Sequence, residues 1–264
     1  MAPDELSSTR NPRVRELAAL ARRRDRREQG RHLIDSPNAV TSALAAGVVQ
    51  EVLGTAEGLA SLLTEVVVPR DVVVTQVSAH VLERLSDVRT PQGVVAVATS
   101  HTGDLDAVMG TGLVVVLDAV SDPGNAGTIV RTADAAGAAG VILTEGSVDV
   151  FGPKAVRAAA GSTYHLPIVV DVPLDAVVDR CRTAGQPIYG LAGSGSLTID
   201  DLERQAPPIA LVLGNEAHGL STANAELLDG LVSIPIHGRA ESFNVAAAAA
   251  IAIYLTARST RLRA

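Results

Sequence analysis

Three short clusters in the second half of this 264-residue chain carry residue types that a catalytic site needs. The first, Asp118-Ala-Val-Ser-Asp-Pro-Gly-Asn125-Ala-Gly-Thr-Ile-Val-Arg131, places an amide and a guanidinium six residues apart, in one helix region near its first turns. The second, Leu213-Gly214-Asn215-Glu216-Ala-His218-Gly219-Leu220, sets a carboxylate between glycines. The third joins Ile234-Pro235-Ile236 to Glu241-Ser242-Phe243-Asn244-Val245. A guanidinium stays charged far above neutral pH, so Arg131 suits holding a phosphate and steadying a developing oxyanion, and makes a poor base. An ion pair, for instance to Asp134, is its structural alternative. Asn125 and Glu216 can orient such a group, or serve as helix caps after Pro123-Gly124 and near Gly219. Ser242 and Asn244 precede a helix-forming run whose free amides favour an anion, and capping is a rival role for Ser242. Gly214 lets backbone approach a ligand closely, or simply turns the chain at a strand end.

Among the elements, Asn11-Pro12 starts a helix that the pattern carries to about Gln29, with Gly30 closing it. Strands and helices then alternate to a strand at Val94–Thr99, which predicts a small α/β domain over residues 1–105. The glycine-bearing stretch from His101 to Gly112 is the predicted linker. From residue 112 to 264 a second α/β domain is expected. Leu113–Leu117 is a continuous apolar run typical of a buried parallel strand. Further strands are predicted at Gly140–Thr144, Ile168–Val170, Ile188–Ala192, Ile209–Leu213 and Val232–Ile236. Helices are predicted at Asn125–Ala136, Lys154–Ala160, Leu174–Ala184 and Ser242–Arg258. Each chemical cluster begins where a strand is predicted to end, and parallel α/β sheets bind ligands at the carboxyl ends of their strands.

Composition narrows the classes. Hydrophobic residues make up 47% and aromatics only 2%, so the core is aliphatic and base-stacking modules of the RRM or OB type are disfavoured. No apolar run reaches the roughly 20 residues that cross a bilayer, and the opening residues lack a leader-like apolar stretch, so a cytoplasmic protein with no membrane association is expected. A single cysteine, Cys181, excludes a disulfide framework and a multi-cysteine zinc site, and the six histidines form no metal-ligand pattern, so no metal is expected. The sole lysine, Lys154, stands in Gly-Pro-Lys-Ala, which excludes a Walker A loop. Gly193-Ser-Gly195 is only a fragment of a dinucleotide fingerprint. The net charge of −7 hides a basic stretch, since nine arginines lie between Arg10 and Arg31 against Glu16, Asp25 and Glu28. That stretch suits either phosphate contacts or a solvated helix face.

In this order and at this spacing, the three clusters resemble the signature motifs of the SpoU (TrmH-like) branch of the SPOUT methyltransferases. The resemblance is weak in the first third of the chain and good after Leu113. It implies a C-terminal parallel-sheet domain threaded as a deep trefoil knot around S-adenosyl-L-methionine, preceded by a small α/β RNA substrate-binding domain. Asn11-Pro12-Arg13, His32-Leu33-Ile34-Asp35 and Pro91-Gln92-Gly93-Val94 are similar to segments of that substrate domain, although Asp35-Ser36 stands where relatives often carry Glu-Gly.

The implied activity is methylation of a ribose 2′-hydroxyl in structured RNA, with 23S ribosomal RNA expected and transfer RNA as the alternative. The enzyme would be a homodimer joined through the methyltransferase domain, each site built with help from the partner. The resemblance makes Arg131 the central catalytic residue, with Asn125, Glu216, Ser242 and Asn244 around it. Gly214, Ile234 and Phe243 match cofactor-contacting positions, with Ile236 and Val245 beside them and Leu191 and Ala192 flanking the adenine or ribose. Arg13, Arg15 and Arg157 are the implied RNA contacts. Two readings from other classes remain. A catalytically silent RNA-binding or ribosome-assembly factor would have no need of the intact polar set, and a nucleotide- or NAD-binding enzyme lacks its glycine fingerprint. An enzyme conferring resistance to a ribosome-binding antibiotic would share the same layout.

Overall fold

The computed structural model describes residues 5–203, 205 and 208–261. It divides into two compact units, the first running up to His101 and including Asp149–His165, the second comprising Thr102–Val148 and the chain from Leu166 onward. The first stretch contains α1 (Pro12–Ala19), α2 (Arg23–Gln29), β1 (Arg31–Ile34), α3 (Pro37–Ala45), β2 (Val49–Gly54), α4 (Ala56–Glu65), β3 (Val73–Gln76), α5 (Ala79–Leu85) and β4 (Val94–Thr99). There follow α6 (Leu105–Val108), β5 (Leu113–Leu117), α7 (Pro123–Ala136), β6 (Gly140–Thr144), α8 (Pro153–Ala159), β7 (Ile168–Val172), α9 (Leu174–Thr183) and β8 (Ile188–Leu191). The chain continues through β9 (Leu197–Thr198), α10 (Ile199–Glu203), β10 (Ile209–Leu213), α11 (Thr222–Glu226), β11 (Gly230–Ser233) and α12 (Val245–Arg261). Among the described residues no helix is long and apolar enough to cross a membrane.

Unit 1 is built on a mixed sheet of order β1-β4-β2-β3, in which β4 runs antiparallel to β1 and β2 while β2 and β3 are parallel. Alternation along β4 divides its side chains between two cores. Val94, Ala96 and Ala98 join Val40 and Leu44 of α3 and Leu62 of α4, whereas Val95 and Val97 join Leu17 of α1 and Val81 and Leu82 of α5.

The single helix expected from Pro12 to Gln29 is two helices, and the side chain of Arg26 fastens the break. Arg26 is buried, and its Nη1 donates to the carbonyls of Leu20 and Ala21 at 2.8 Å each, taking up two acceptors at the break. Its charge is met by Asp149, with Nη2 to Oδ2 at 2.6 Å. The helix over Pro153–Ala159, expected with the second sheet, therefore belongs to unit 1. His32 extends the same packing: it is fully buried, hydrogen-bonds Ser100 Oγ (3.1 Å) and Tyr164 OH (2.8 Å), and lies 5.0 Å from the Phe151 ring. Burial pushes its pKa down to about 4, so it is neutral at physiological pH.

Unit 2 is a seven-stranded, all-parallel sheet of order β7-β6-β5-β10-β8-β11-β9. The five residues of β5, of β6 and of β10 are buried throughout, as expected for strands covered on both faces. One face packs against α9 through Val114, Val116, Ile142, Val178 and Val212. On the other, α12 packs along α7 and over β5 and β10. The strand predicted at Val232–Ile236 ends instead at Ser233, because Pro235 has no N–H for a ladder and restrains Ile234 before it. Ile234–Ile236 therefore leaves the sheet as a loop. The adjacent strands β10, β8 and β11 end level with one another, with Leu213 paired to Leu191 and Leu191 to Val232.

Candidate active site

A cleft of about 320 Å³ opens at the carboxyl ends of β10, β8 and β11. Leu191 and Ala192 line it from the end of β8, Gly214 from the end of β10, and Ile234 and Ile236 from the loop after β11. Phe243 and Val245 close it at the start of α12. All seven residues expected to contact a cofactor thus border a single cavity, together with Glu216 and Ser242 of the expected catalytic set. Gly214 is required by a close turn, since a Cβ there would fall 2.4 Å from the carbonyl carbon of Gly219. That turn is closed by paired backbone bonds between Asn215 and Gly219, of 3.1 and 2.8 Å.

The polar residues of the three loops form a directed chain of hydrogen bonds. Asn244 Oδ1 accepts from the Ala246 amide at 2.9 Å and so caps α12. Capping was the rival role for Ser242, which instead lies exposed at the cleft. With its oxygen engaged, Asn244 turns Nδ2 to Asn125 Oδ1 (3.3 Å), and Asn125 in turn donates Nδ2 to Glu216 Oε1 (3.1 Å). Asn125 is free to do so because Asp122 caps α7, accepting from the Asn125 amide at 2.9 Å. Glu216 also accepts from the Ser121 amide (3.0 Å), the Ser121 hydroxyl (2.8 Å) and the Asp122 amide (2.9 Å). Partial burial works against its ionisation, but the Ser121 and Asp122 amides and Asn125 outweigh it and hold the carboxyl at about 2. Glu216 is therefore a fixed anion rather than a proton acceptor at neutral pH.

A buried network absent from the sequence reading carries these loops. The Asp118 carboxylate accepts from Thr144 Oγ1 (2.9 Å) and from Asn224 Nδ2 (2.7 Å). Ala119, in the left-handed region at φ 53°, donates its amide to Thr144 Oγ1 (3.1 Å) and accepts from Asn215 Nδ2 (2.9 Å). Asp118 and Asn215 stand inside recognisable clusters and could have been singled out. Thr144 and Asn224 carried no such signal, because they reach Asp118 only through the fold.

Arg131 is placed differently from the expectation. Six residues on a helix turn through 600°, so Arg131 points about 120° away from Asn125 rather than beside it. It is exposed on the α7 face that also exposes Thr128 and Ala135, and it does not line the cleft. Among the described residues no ion pair or side-chain hydrogen bond engages its guanidinium.

In unit 1 the implied RNA contacts differ from one another. Arg15 is exposed, while Arg13 pairs with Glu51, which also accepts from Thr75 Oγ1 at 2.6 Å. Arg157 bridges Asp35 (3.0 Å) and Asp87 (2.9 Å), giving it an intramolecular task that the sequence did not reveal.

Comparison with known proteins places this geometry. A family model described as the SpoU rRNA Methylase family matches residues 112–254, and one described as the MRM3-like substrate binding domain matches residues 11–96. The chain is 34% identical over 256 residues to the 23S rRNA (guanosine(2553)-2′-O)-methyltransferase RlmP of Bacillus subtilis (strain 168), an alignment spanning 95% of this chain and 98% of the relative. Among solved structures it is similar to an AdoMet-bound rRNA methyltransferase from Sinorhizobium meliloti, with a TM-score of 0.87 and 31% identity over 96% of this chain and 97% of that one. It is also similar to the SpoU methyltransferase AviRb from Streptomyces viridochromogenes in complex with AdoMet, with a TM-score of 0.84 and 32% identity over 96% and 99% of the two chains.

Proposed function

The chain belongs to the SpoU rRNA methylase family, and from that membership we propose that it transfers a methyl group from S-adenosyl-L-methionine to a ribose 2′-hydroxyl of structured RNA, with 23S ribosomal RNA as substrate. The observation that carries this reading is the convergence of the loops after β8, β10 and β11 on one cleft at the ends of adjacent parallel strands, with the start of α7 tied to it through the Asn125–Glu216 hydrogen bond. The cleft suits the methyl donor. Its volume lies within the roughly 300–1,000 Å³ of small-molecule sites, its walls are aliphatic, and Gly193 leaves open space where a side chain would stand. Two carboxylates, Glu216 and Glu241, border it and complement a ligand bearing both a sulfonium and an ammonium.

S-adenosylmethionine, when bound, supplies a methyl group already activated on a cationic sulfur. The protein's work is then mainly positioning and electrostatic stabilisation. Leu191, Ala192, Ile234, Ile236 and Val245 exclude water around the cofactor, while Phe243 and Ser242 border the open side. Glu216, ionised and held by four donors, fixes Asn125 and through it Asn244. The charge that steadies the ribose oxygen is supplied by Arg131 of the partner subunit. Dimerisation through unit 2 is supported by the exposed position of Arg131 on α7 and by exposed apolar side chains at Phe243 (42%) and Tyr254 (62%). The trefoil knot belongs to the same proposal, supported by the insertion of β10 between the earlier strands β5 and β8. So does a cytoplasmic location, where ribosomal RNA is met.

The test is transfer of tritiated methyl from S-adenosylmethionine to fragments of 23S ribosomal RNA, with calorimetry of donor binding alongside. Arg131→Ala is expected to bind the donor normally and to lose transfer roughly a hundredfold, as when one oxyanion donor is removed. No heat with S-adenosylmethionine would end this reading, and undiminished transfer by the variant would remove Arg131 from its role.

A further inference from the structure

Unit 1 contains a second cleft, of about 480 Å³, that the chemistry above does not use. It opens between the first turns of α4, the first turn of α5 and the loop Arg89–Gly93, whose Pro91-Gln92-Gly93 is similar to a segment of the family's substrate domain. Its floor is a backbone approach that only glycine allows. The Thr55 amide donates to the Gly93 carbonyl at 3.0 Å, and a Cβ on Gly58 would fall 2.1 Å from that same oxygen. Gly93 itself has φ +89°. Thr55 also caps α4, accepting from the Gly58 amide at 3.1 Å, so the floor is tied to a regular element.

Around this floor stand Glu57, Ser61, Arg89, Thr90 and Gln92. Among the described residues none of these five side chains has a hydrogen-bond or ion-pair partner. Lone polar side chains are ordinary on a surface, but five around one concavity with a constrained floor have the character of a binding site. Ala79, Leu82 and Pro91 add an apolar wall, and Glu83 a second carboxylate.

We propose that this cleft receives one unpaired nucleotide of the RNA, a proposal that rests on the RNA-methylating reading above. An unstacked base exposes its Watson–Crick edge. The carboxylates of Glu57 and Glu83 accept from amino and imino groups on such an edge, Thr90, Gln92 and Ser61 complete the contacts, and Arg89 meets the adjoining phosphate. A base paired within a helix has that edge occupied and cannot enter. The cleft holds no aromatic side chain, so stacking contributes nothing, and a free mononucleotide gains too little to bind well. The same nucleotide tethered in an RNA arrives at high effective concentration. Unit 1 thereby sets the register of the RNA.

The experiment uses the full-length protein and a 23S ribosomal RNA fragment that it methylates. Glu57→Ala, Arg89→Ala and Gln92→Ala are each expected to raise the KM for RNA, about tenfold for the two charged residues. Each should leave Tm, S-adenosylmethionine affinity and kcat at saturating RNA unchanged. Photocrosslinking from 4-thiouridine placed in unpaired segments is expected to label a peptide within residues 79–93. The proposal is overturned if the wild type methylates the RNA while all three variants keep its KM and no label falls in the cleft. It is also overturned if a free nucleoside monophosphate saturates the cleft at micromolar concentration, which marks a small-molecule site. Absence of methyl transfer by the wild type, with the label and the loss of RNA binding in the variants retained, would instead remove the methylation reading and leave the cleft as an RNA site.

Discussion

At Glu216, burial and hydrogen bonding act in opposite directions, and the donors win: two amides, a hydroxyl and the Asn125 side chain hold the carboxyl at about 2. Its ordinary value is 4.5, so the stabilisation it lends is complete above about 4.5 and is lost as the pH falls through about 2. Glu216→Gln cannot reproduce the arrangement, because its NH2 group would face an amide donor. We expect kcat to fall roughly tenfold or more through lost positioning. The Tm deficit of the variant should be largest at neutral pH and should shrink as both proteins are acidified toward pH 3. A wild-type kcat in this variant would show that the charge has no positioning role. The direction of the amide chain also follows at this scale: once the α12 amides take Asn244 Oδ1, the orientations of Asn244 and Asn125 are both determined.

Among the elements, the break between α1 and α2 joins a local cap to a distant ion pair. Helix propensity favours continuation through Leu20–Arg22, yet a buried guanidinium from the next turn takes the freed carbonyls and is neutralised by Asp149. Removing one partner of such a pair leaves the other charge uncompensated. Arg26→Met should therefore cost about 3 kcal/mol in urea unfolding, more than Arg24→Met, whose exposed pair with Glu28 contributes little. Equal effects of the two substitutions would refute the buried pair as the fastening of Asp149–His165 to unit 1. In unit 2, a single proline decides that Ile234–Ile236 leaves the sheet, which delivers two apolar side chains to the cleft.

For the whole molecule, the proposal divides the labour: unit 2 holds the methyl donor and unit 1 the RNA. Arg131 does not line the cleft within one copy of unit 2, so the proposed function requires a second copy to complete the catalytic centre. Mixing is a direct test. Arg131→Ala loses its arginine and Gly214→Val loses the tight turn at the cleft, and each alone should be nearly inactive. Unfolded together and refolded as mixed dimers, they should recover roughly a quarter of wild-type transfer, because half of randomly paired dimers carry one intact site. No recovery would mean that Arg131 acts within its own subunit. Tyr254→Glu, on the exposed face of α12, should yield monomers in sedimentation and abolish transfer.

Local patterns were enough to read most strands, the parallel character of the second sheet, the alternation of the first, and the three clusters at strand ends. Those properties follow from apolar periodicity and from proline, glycine and capping chemistry, all of which act over a few residues. The residues bordering the donor cleft were named from likeness to a family, and geometry alone showed them bordering one cavity. Only the folded chain revealed the assignment of Asp149–His165 to unit 1, the ties of Arg157 to Asp35 and Asp87, the Asp118–Thr144–Asn224 network and the outward face of Arg131. Each depends on pairs some 25 to 125 residues apart, or on the rotation of a helix against its neighbours. A hydrogen bond or ion pair leaves no periodic trace in sequence, so such contacts exist only once the elements are packed.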